Sequence, residues 1–224
     1  MLAVRDFGDL SARVVGTEGP IVVLLHGFGA SGTDLVGLAQ ALGPGRRYIF
    51  PEAPLALPAM YGDGRAWWML DLEKMQRAML MGTPRDLAEE YPEGLAKARA
   101  QLDGHLAAIE SEFGVERSDI VLGGFSQGAM LSCDVALHSS VKPKSLILLS
   151  GALLARNEWV PAMDGAKLNV FQSHGTVDTV LAQSGGIALK DALEKAGSTI
   201  EWHSFRGGHE IPMLVLSALR SFLD

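Results

Sequence analysis

The chain has 224 residues, 48% of them hydrophobic and 20% charged, and a formal net charge of −7 at pH 7. A length of this order suits one domain that buries about 70% of its unfolded surface, so no disulfide or structural metal is needed to hold it together. The acidic balance argues against a general binder of nucleic-acid backbone, and the single cysteine, Cys133, excludes an internal disulfide framework and a zinc site built on several thiolates.

The N-terminal stretch Met1 to Val15 carries Arg5, Asp6 and Asp9 where an export signal would need an apolar core. Within it, Ala12–Val15 reads as an edge strand. Ile21–Leu25 is a short apolar, β-branched run, hence a buried strand, and a short helix is expected over Asp34 to Leu42. Tyr48–Phe50 is the next strand. From Pro51 to Glu93 the alternation lapses: the segment holds five prolines, five of the nine methionines and the pair Trp67-Trp68, with no convincing strand. It reads as an excursion within one domain spanning 1–224 rather than a second domain.

Regular alternation resumes after it. Leu95, Leu102, Leu106, Ile109 and Phe113 recur at helical spacing and mark one apolar face. Strand Ile120–Leu122 precedes helix Gln127–His138, and strands Leu146–Leu149 and Leu168–Phe171 follow. Helix Ser184–Ala196 leads to Thr199–Phe205, which alternates and so suits a sheet edge. A last helix after Pro212 carries Val215, Leu219 and Phe222. Runs apolar on both faces, alternating with helices, predict an α/β fold with a mostly parallel central sheet and helices on both faces. Ligands are then expected beyond the carboxyl ends of the strands. The longest apolar stretch, Leu146 to Ala155, is interrupted by Ser150 and Gly151 and reaches about half the roughly 20 residues of a membrane-spanning helix. A soluble, cytoplasmic protein is the expectation.

Glycine is in surplus, at 26 of 224 positions with no repeat to absorb it, and two clusters compete for a functional reading. Gly27-Phe28-Gly29-Ala30-Ser31-Gly32 fits G-x-G-x-x-G after a predicted strand and before a predicted helix. Glu52 follows at about the 20-residue distance of an acidic ribose ligand, so a dinucleotide-binding oxidoreductase is one reading and a plain glycine-rich turn the other. The second cluster, Gly124-Phe125-Ser126-Gln127-Gly128, is a G-x-S-x-G pentapeptide. It suits a serine hydroxyl held on a sharp strand-to-helix turn, with flanking glycines where backbone passes too close for a β-carbon.

In a chain this rich in glycine the pentapeptide alone decides little, but its setting does more. It follows one predicted strand and opens one predicted helix, as a nucleophile turn requires. Partners are then expected in the order acid, histidine, each just after a later strand. Asp178 lies past Leu168–Phe171, and His209 lies past Thr199–Phe205. The remaining histidines, His105, His138, His174 and His203, read as packed or solvated, Asp164 and Asp191 as surface charges, and Cys133 as a small buried hydrophobe. An oxyanion would be held by the N–H of Gln127 at a helix N-terminus and by that of Phe28 in the earlier glycine loop, which gives both clusters one role.

These residues resemble those of the phospholipase/carboxylesterase family of α/β-hydrolases, the group that includes acyl-protein thioesterases. Four ordered blocks carry the resemblance: His26-Gly27-Phe28-Gly29 with Ser31-Gly32 and Asp34; Gly124 to Gly128; His174-Gly175-Thr176 with Asp178; and Gly208-His209-Glu210-Ile211-Pro212. The resemblance implies an α/β-hydrolase fold with a minimal lid, a catalytic triad of Ser126, Asp178 and His209, oxyanion donors Phe28 and Gln127, and neither cofactor nor metal. One departure concerns the thioesterase branch, which has a short connection after its Trp-aromatic pair. Here Trp67-Trp68 leads into a longer Met-rich stretch, which looks more like the bacterial carboxylesterase branch.

The expected activity is that of a serine hydrolase of the EC 3.1.1 type: a carboxylesterase cleaving short- to medium-chain acyl esters through an acyl-enzyme. A lysophospholipase or acyl-protein thioesterase would use the same triad, and a non-catalytic hydrolase-like binding protein is the reading outside catalysis. Trp67, Trp68, Met69 and Leu70 form a candidate acyl-binding wall, adaptable because of the methionine. Against it stands the reading that Leu72, Met75 and Met79 are simply the core face of one helix. The excursion, at roughly 40 residues, is too short for an independent cap, so an open, shallow site is expected. The partner is a small acyl ester, not nucleic acid, without stable membrane insertion; a homodimer is left open. The rate is expected to rise with pH through one ionisation in the histidine range of about 6–7.

Overall fold

The computed structural model describes residues 3–71, 73, 77, 80–81 and 87–224. Strands β1 (Ala3–Phe7) and β2 (Leu10–Val15) form an antiparallel hairpin, and β2 continues antiparallel against β4 (Arg47–Pro51). From β4 onward the sheet is parallel, passing through β3 (Ile21–Leu25), β7 (Val121–Phe125), β8 (Ser145–Leu149), β9 (Asn169–Gly175) and β10 (Thr199–Phe205). The order across the eight strands is β1-β2-β4-β3-β7-β8-β9-β10.

Alternate residues of the central strands feed two cores, as the two-sided apolar runs require. Val23, Leu25, Leu122, Leu146, Leu148 and Val170 point to one face. There they meet α2 (Leu95–Phe113), α3 (Gln127–His138), α4 (Arg156–Met163) and α5 (Gln183–Lys195). Val22, Leu24, Tyr48, Ile147, Leu149 and Phe171 point to the other, under α1 (Leu38–Leu42) and α6 (Met213–Leu223). Helix α3 is buried from Gln127 through Leu137, which is why its sequence is apolar nearly all round. Truncating one of its fully buried side chains, such as Leu131, to alanine carries the usual cost of about 2–5 kcal/mol.

Several boundaries differ from the sequence expectation. Ala12–Val15 is no edge strand: β2 is paired on both sides, and β1 takes the edge with Arg5 and Asp6 exposed on it. β10 does lie at the other edge. The helix expected over Asp34 to Leu42 is regular only from Leu38. β9 runs on to Gly175 because its polar residues Gln172, Ser173 and His174 are buried, a pattern that composition reads as loop. Helix α4 carries no clear apolar face and holds Pro161 inside its last turns, so periodicity passes over it. The excursion does contain a short antiparallel ladder, β5 (Leu55–Ala56) with β6 (Arg65–Ala66). Leu72, Met75 and Met79, which the helical-core reading invoked, lie outside the described residues. Among the described residues no helix is long and apolar enough to cross a membrane.

Candidate active site

Ser126 sits between β7 and α3 with φ 55° and ψ −117°, a region that a residue with a β-carbon rarely occupies. The strain is held by neighbours: the Ser126 N–H donates to the Leu149 carbonyl at 2.8 Å, and its own carbonyl accepts the Met130 N–H at 3.1 Å. The two glycines of the pentapeptide face the end of β3. A β-carbon on Gly124 would stand 2.5 Å from the Leu25 carbonyl oxygen, and one on Gly128 2.3 Å from it. Only glycine lets α3 start this close to the strand that leads into the first glycine loop.

Asp178 and His209 converge from the loops after β9 and β10. His209 Nδ1 lies 2.6 Å from Asp178 Oδ2, while Asp178 Oδ1 accepts the Val180 and Leu181 N–H groups at 2.8 and 2.9 Å. Burial opposes the Asp178 charge. Hydrogen bonds from His174 and His209, the charge on His209 and the Leu181 N–H outweigh it and hold the carboxyl well below the usual carboxylate range. An ionised carboxylate only accepts, so His209 Nδ1 carries a proton, and in the neutral imidazole Nε2 is left with a lone pair. The Phe125 ring packs on the imidazole at 4.7 Å between centroids. Ser126 and His209 line one cavity, with no hydrogen bond between their side chains.

That cavity has a volume of about 570 Å³, and Phe28 and Gln127 line it beside Ser126 and His209. Gln127 is the first residue of α3, so its amide has no partner within the helix, and the protein supplies no acceptor for the Phe28 N–H among the described residues. The loop bearing Phe28 is fixed from both sides. Gly29 N donates to the Arg65 carbonyl and Arg65 N to the Ala30 carbonyl, both at 2.9 Å. His26 anchors its start: Nε2 accepts the Ala53 N–H at 3.1 Å, so Nδ1 carries the proton donated to the Gly27 carbonyl at 2.8 Å. Burial pushes the His26 imidazole below its ordinary pKa, which keeps this neutral tautomer.

Of the four residues expected to form an acyl wall, Trp68, Met69 and Leu70 line the cavity and Trp67 does not. Trp67 is buried beneath the loop that bears Phe28, where its Nε1 donates to the His26 carbonyl at 2.9 Å. The rest of the lining includes residues outside that expectation, among them Met130, Leu154, Val180 and Leu181. Leu87 and Pro92 from the end of the excursion join them, and the lining includes side chains as buried as Leu154 and Trp68.

The dinucleotide reading fails on three observations. No regular helix starts at Gly32, since α1 begins only at Leu38. The Glu52 carboxylate is taken by Arg13 at 3.1 Å and Arg65 at 3.4 Å, leaving none for a ribose. The glycine loop itself packs against the Ser126 turn, where a β-carbon on Gly27 would meet Ser126 Cβ at 3.3 Å. His105, His138 and His203 have partners elsewhere. His105 donates to the Phe7 carbonyl, His138 to that of Asp134, and His203 pairs with Glu201.

A family model described as phospholipase/carboxylesterase matches residues 15–224. An acyl-protein thioesterase 1 of Yarrowia lipolytica is 26% identical over 195 residues, covering 83% of this chain and 82% of its own. Among solved structures, esterase PE8 superposes with a TM-score of 0.81 at 28% identity, over 96% of this chain and 97% of that one. A carboxylesterase from Mesorhizobium loti gives 0.80 at 19% identity, over 99% and 98%, and that likeness concerns the fold alone.

Proposed function

This chain belongs to the phospholipase/carboxylesterase family of α/β-hydrolases, and from that premise we propose that it is a serine carboxylesterase cleaving short- to medium-chain acyl esters through an acyl-enzyme. The observation that carries the reading is the Asp178–His209 pair at 2.6 Å, set at the same cavity as a serine in the strained elbow conformation. His209 Nε2 takes the proton of Ser126 as its oxygen attacks the ester carbonyl, and then returns it to the leaving alcohol. Asp178 fixes the imidazole tautomer and stabilises the imidazolium, without itself becoming protonated. The Phe28 and Gln127 N–H groups hold the oxyanion, each donor being worth about 3–4 kcal/mol of barrier. Water then enters by the same route and releases the acid.

The acyl chain lies against Trp68, Met69, Leu70, Met130 and Leu154, an apolar lining that includes two flexible thioethers. In this reading the enzyme acts on a small ester in the cytoplasm, without cofactor or metal. A thioester of a longer chain is the second reading, favoured by the name of the Yarrowia lipolytica relative.

The test is labelling with a fluorophosphonate, with and without Ser126→Ala, alongside p-nitrophenyl esters from acetate to palmitate and a palmitoyl thioester. One label, lost in the variant, together with best turnover on short and medium chains, is expected. Preference for the palmitoyl thioester moves the assignment to the second reading. No label and no ester turnover leaves a binding protein on a hydrolase scaffold.

A further inference from the structure

A second histidine stands behind the acid. His174, the residue before the last of β9, is completely buried. Its Nε2 lies 2.9 Å from the Leu181 carbonyl and 3.4 Å from Asp178 Oδ2. A carbonyl only accepts, so Nε2 carries the proton and Nδ1 is a bare acceptor. That Nδ1 is buried and has no hydrogen-bond partner. It faces backbone instead, for a β-carbon on Gly186 would stand 2.5 Å from it.

A ring that only filled this space would be better replaced by an apolar one, because an unpaired buried nitrogen is destabilising. The compensation is all on the other nitrogen. We propose that His174 is a positioning residue for the reaction: its Nε2–H, shared between Leu181 and Asp178, holds the Asp178 carboxylate at the angle that His209 requires. Leu181 takes part twice, its N–H donating to Asp178 Oδ1 and its carbonyl accepting from His174. His174, Leu181 and Asp178 thus close a small ring of polar contacts. Rotation of the carboxylate away from His209 would break its bonds to Val180 and Leu181 on one oxygen and to His209 on the other, and would give up the 3.4 Å contact with His174. The inference rests on Asp178 and His209 being the acid and base of the proposed esterase.

Three substitutions separate positioning from packing. His174→Gln puts an amide N–H near the place of Nε2, His174→Asn reaches only to the place of Nδ1, and His174→Met fills the volume with no donor. Each preparation is titrated with the fluorophosphonate, and p-nitrophenyl butyrate rates are expressed per labelled serine. The Met and Asn variants are expected to lose roughly 10- to 100-fold in kcat at nearly unchanged KM, with Gln within about threefold of the starting protein. Where the Met variant does not fold, the Gln and Asn pair decides. Equal kcat per labelled site among the variants, at or below the starting level, overturns the positioning role. Absence of label in the unsubstituted protein refutes instead the serine-esterase reading on which it rests.

Discussion

The side-chain oxygen of Gln127 accepts the Trp67 N–H at 3.0 Å, and the same amide donates from Nε2 to the Trp68 carbonyl at 2.9 Å. The residue directly after Ser126 therefore clamps the backbone of the tryptophan pair, and with it the wall of the cavity, to the turn that carries Ser126. The sequence pointed to Gln127 for its backbone alone.

Replacing Gln127 by leucine leaves both backbone groups unpaired in a buried place. A loss of about 2–4 kcal/mol in a urea melt is expected, together with a weaker preference among acyl chain lengths as the wall loosens. Gln127→Glu is expected to do worse at neutral pH than at pH 5, since its carboxylate faces the Trp68 carbonyl without a donor. Wild-type stability and selectivity in both variants would mean that the wall is held elsewhere.

The two tryptophan-segment residues Trp67 and Met69 are expected to give different kinetic signatures. Trp67→Phe removes the indole bond to the His26 carbonyl, at the start of the loop that bears Phe28. It should lower kcat roughly tenfold on every ester alike. Met69→Ala enlarges the cavity, and the kcat/KM ratio of octanoate to butyrate should rise by about 5- to 10-fold. A chain-length effect from Trp67→Phe, and none from Met69→Ala, contradicts this division.

His105 sets an acid limit on stability. Burial pushes its pKa from 6.5 to about 4, against the opposing pull of the Phe7 carbonyl that its Nδ1 faces. The unfolded chain therefore binds a proton in this window that the native one refuses, so stability is full above the unfolded value of about 6.5 and falls as pH drops toward 4. Burial lowers His26 as well, which acts in the same direction. The His105 contribution amounts to about 3 kcal/mol across the window. Urea melts at pH 4.5 and 7.5 should show a smaller difference in His105→Leu than in the starting protein; an unchanged difference excludes His105 as its source.

Asp134 is wholly buried in α3 and is held by Arg99 at 2.6 and 3.1 Å and by the Trp159 Nε1 at 2.8 Å. Removing the carboxylate in Asp134→Ala strands the guanidinium and the indole donor, for an expected loss of about 3 kcal/mol. The ester rate per labelled serine should stay the same. Adding Arg99→Leu should recover part of the loss, and a double variant no more stable than Asp134→Ala would show that the ion pair is not the cause.

How far the site was legible varies with the kind of residue. Ser126, Asp178 and His209 could be proposed because each lies at a strand end next to small residues, a pattern that survives in one dimension. The parallel strands were visible for a similar reason, since burial on both faces leaves uninterrupted apolar runs. Trp67 was misassigned to the cavity because an indole reads alike whether it meets a ligand or a backbone carbonyl. His26 and His174 stood in the glycine-flanked blocks, but nothing in their local sequence told which nitrogen would donate or to what. Pro161 hid α4, and the buried polar run Gln172 to His174 hid the end of β9.

What the sequence determined by itself is what local chemistry can encode: the strand–helix alternation, the glycines where backbone must pass close, and the placing of Ser126, Asp178 and His209 after successive strands. The tertiary structure decided what depends on distant segments meeting. It seats Trp67 under His26 and turns the Gln127 amide onto the excursion. It consumes Glu52 in ion pairs and backs Asp178 with His174. Hydrogen bonds and burial are set by which groups become neighbours after the chain has folded, and residue spacing does not carry that information.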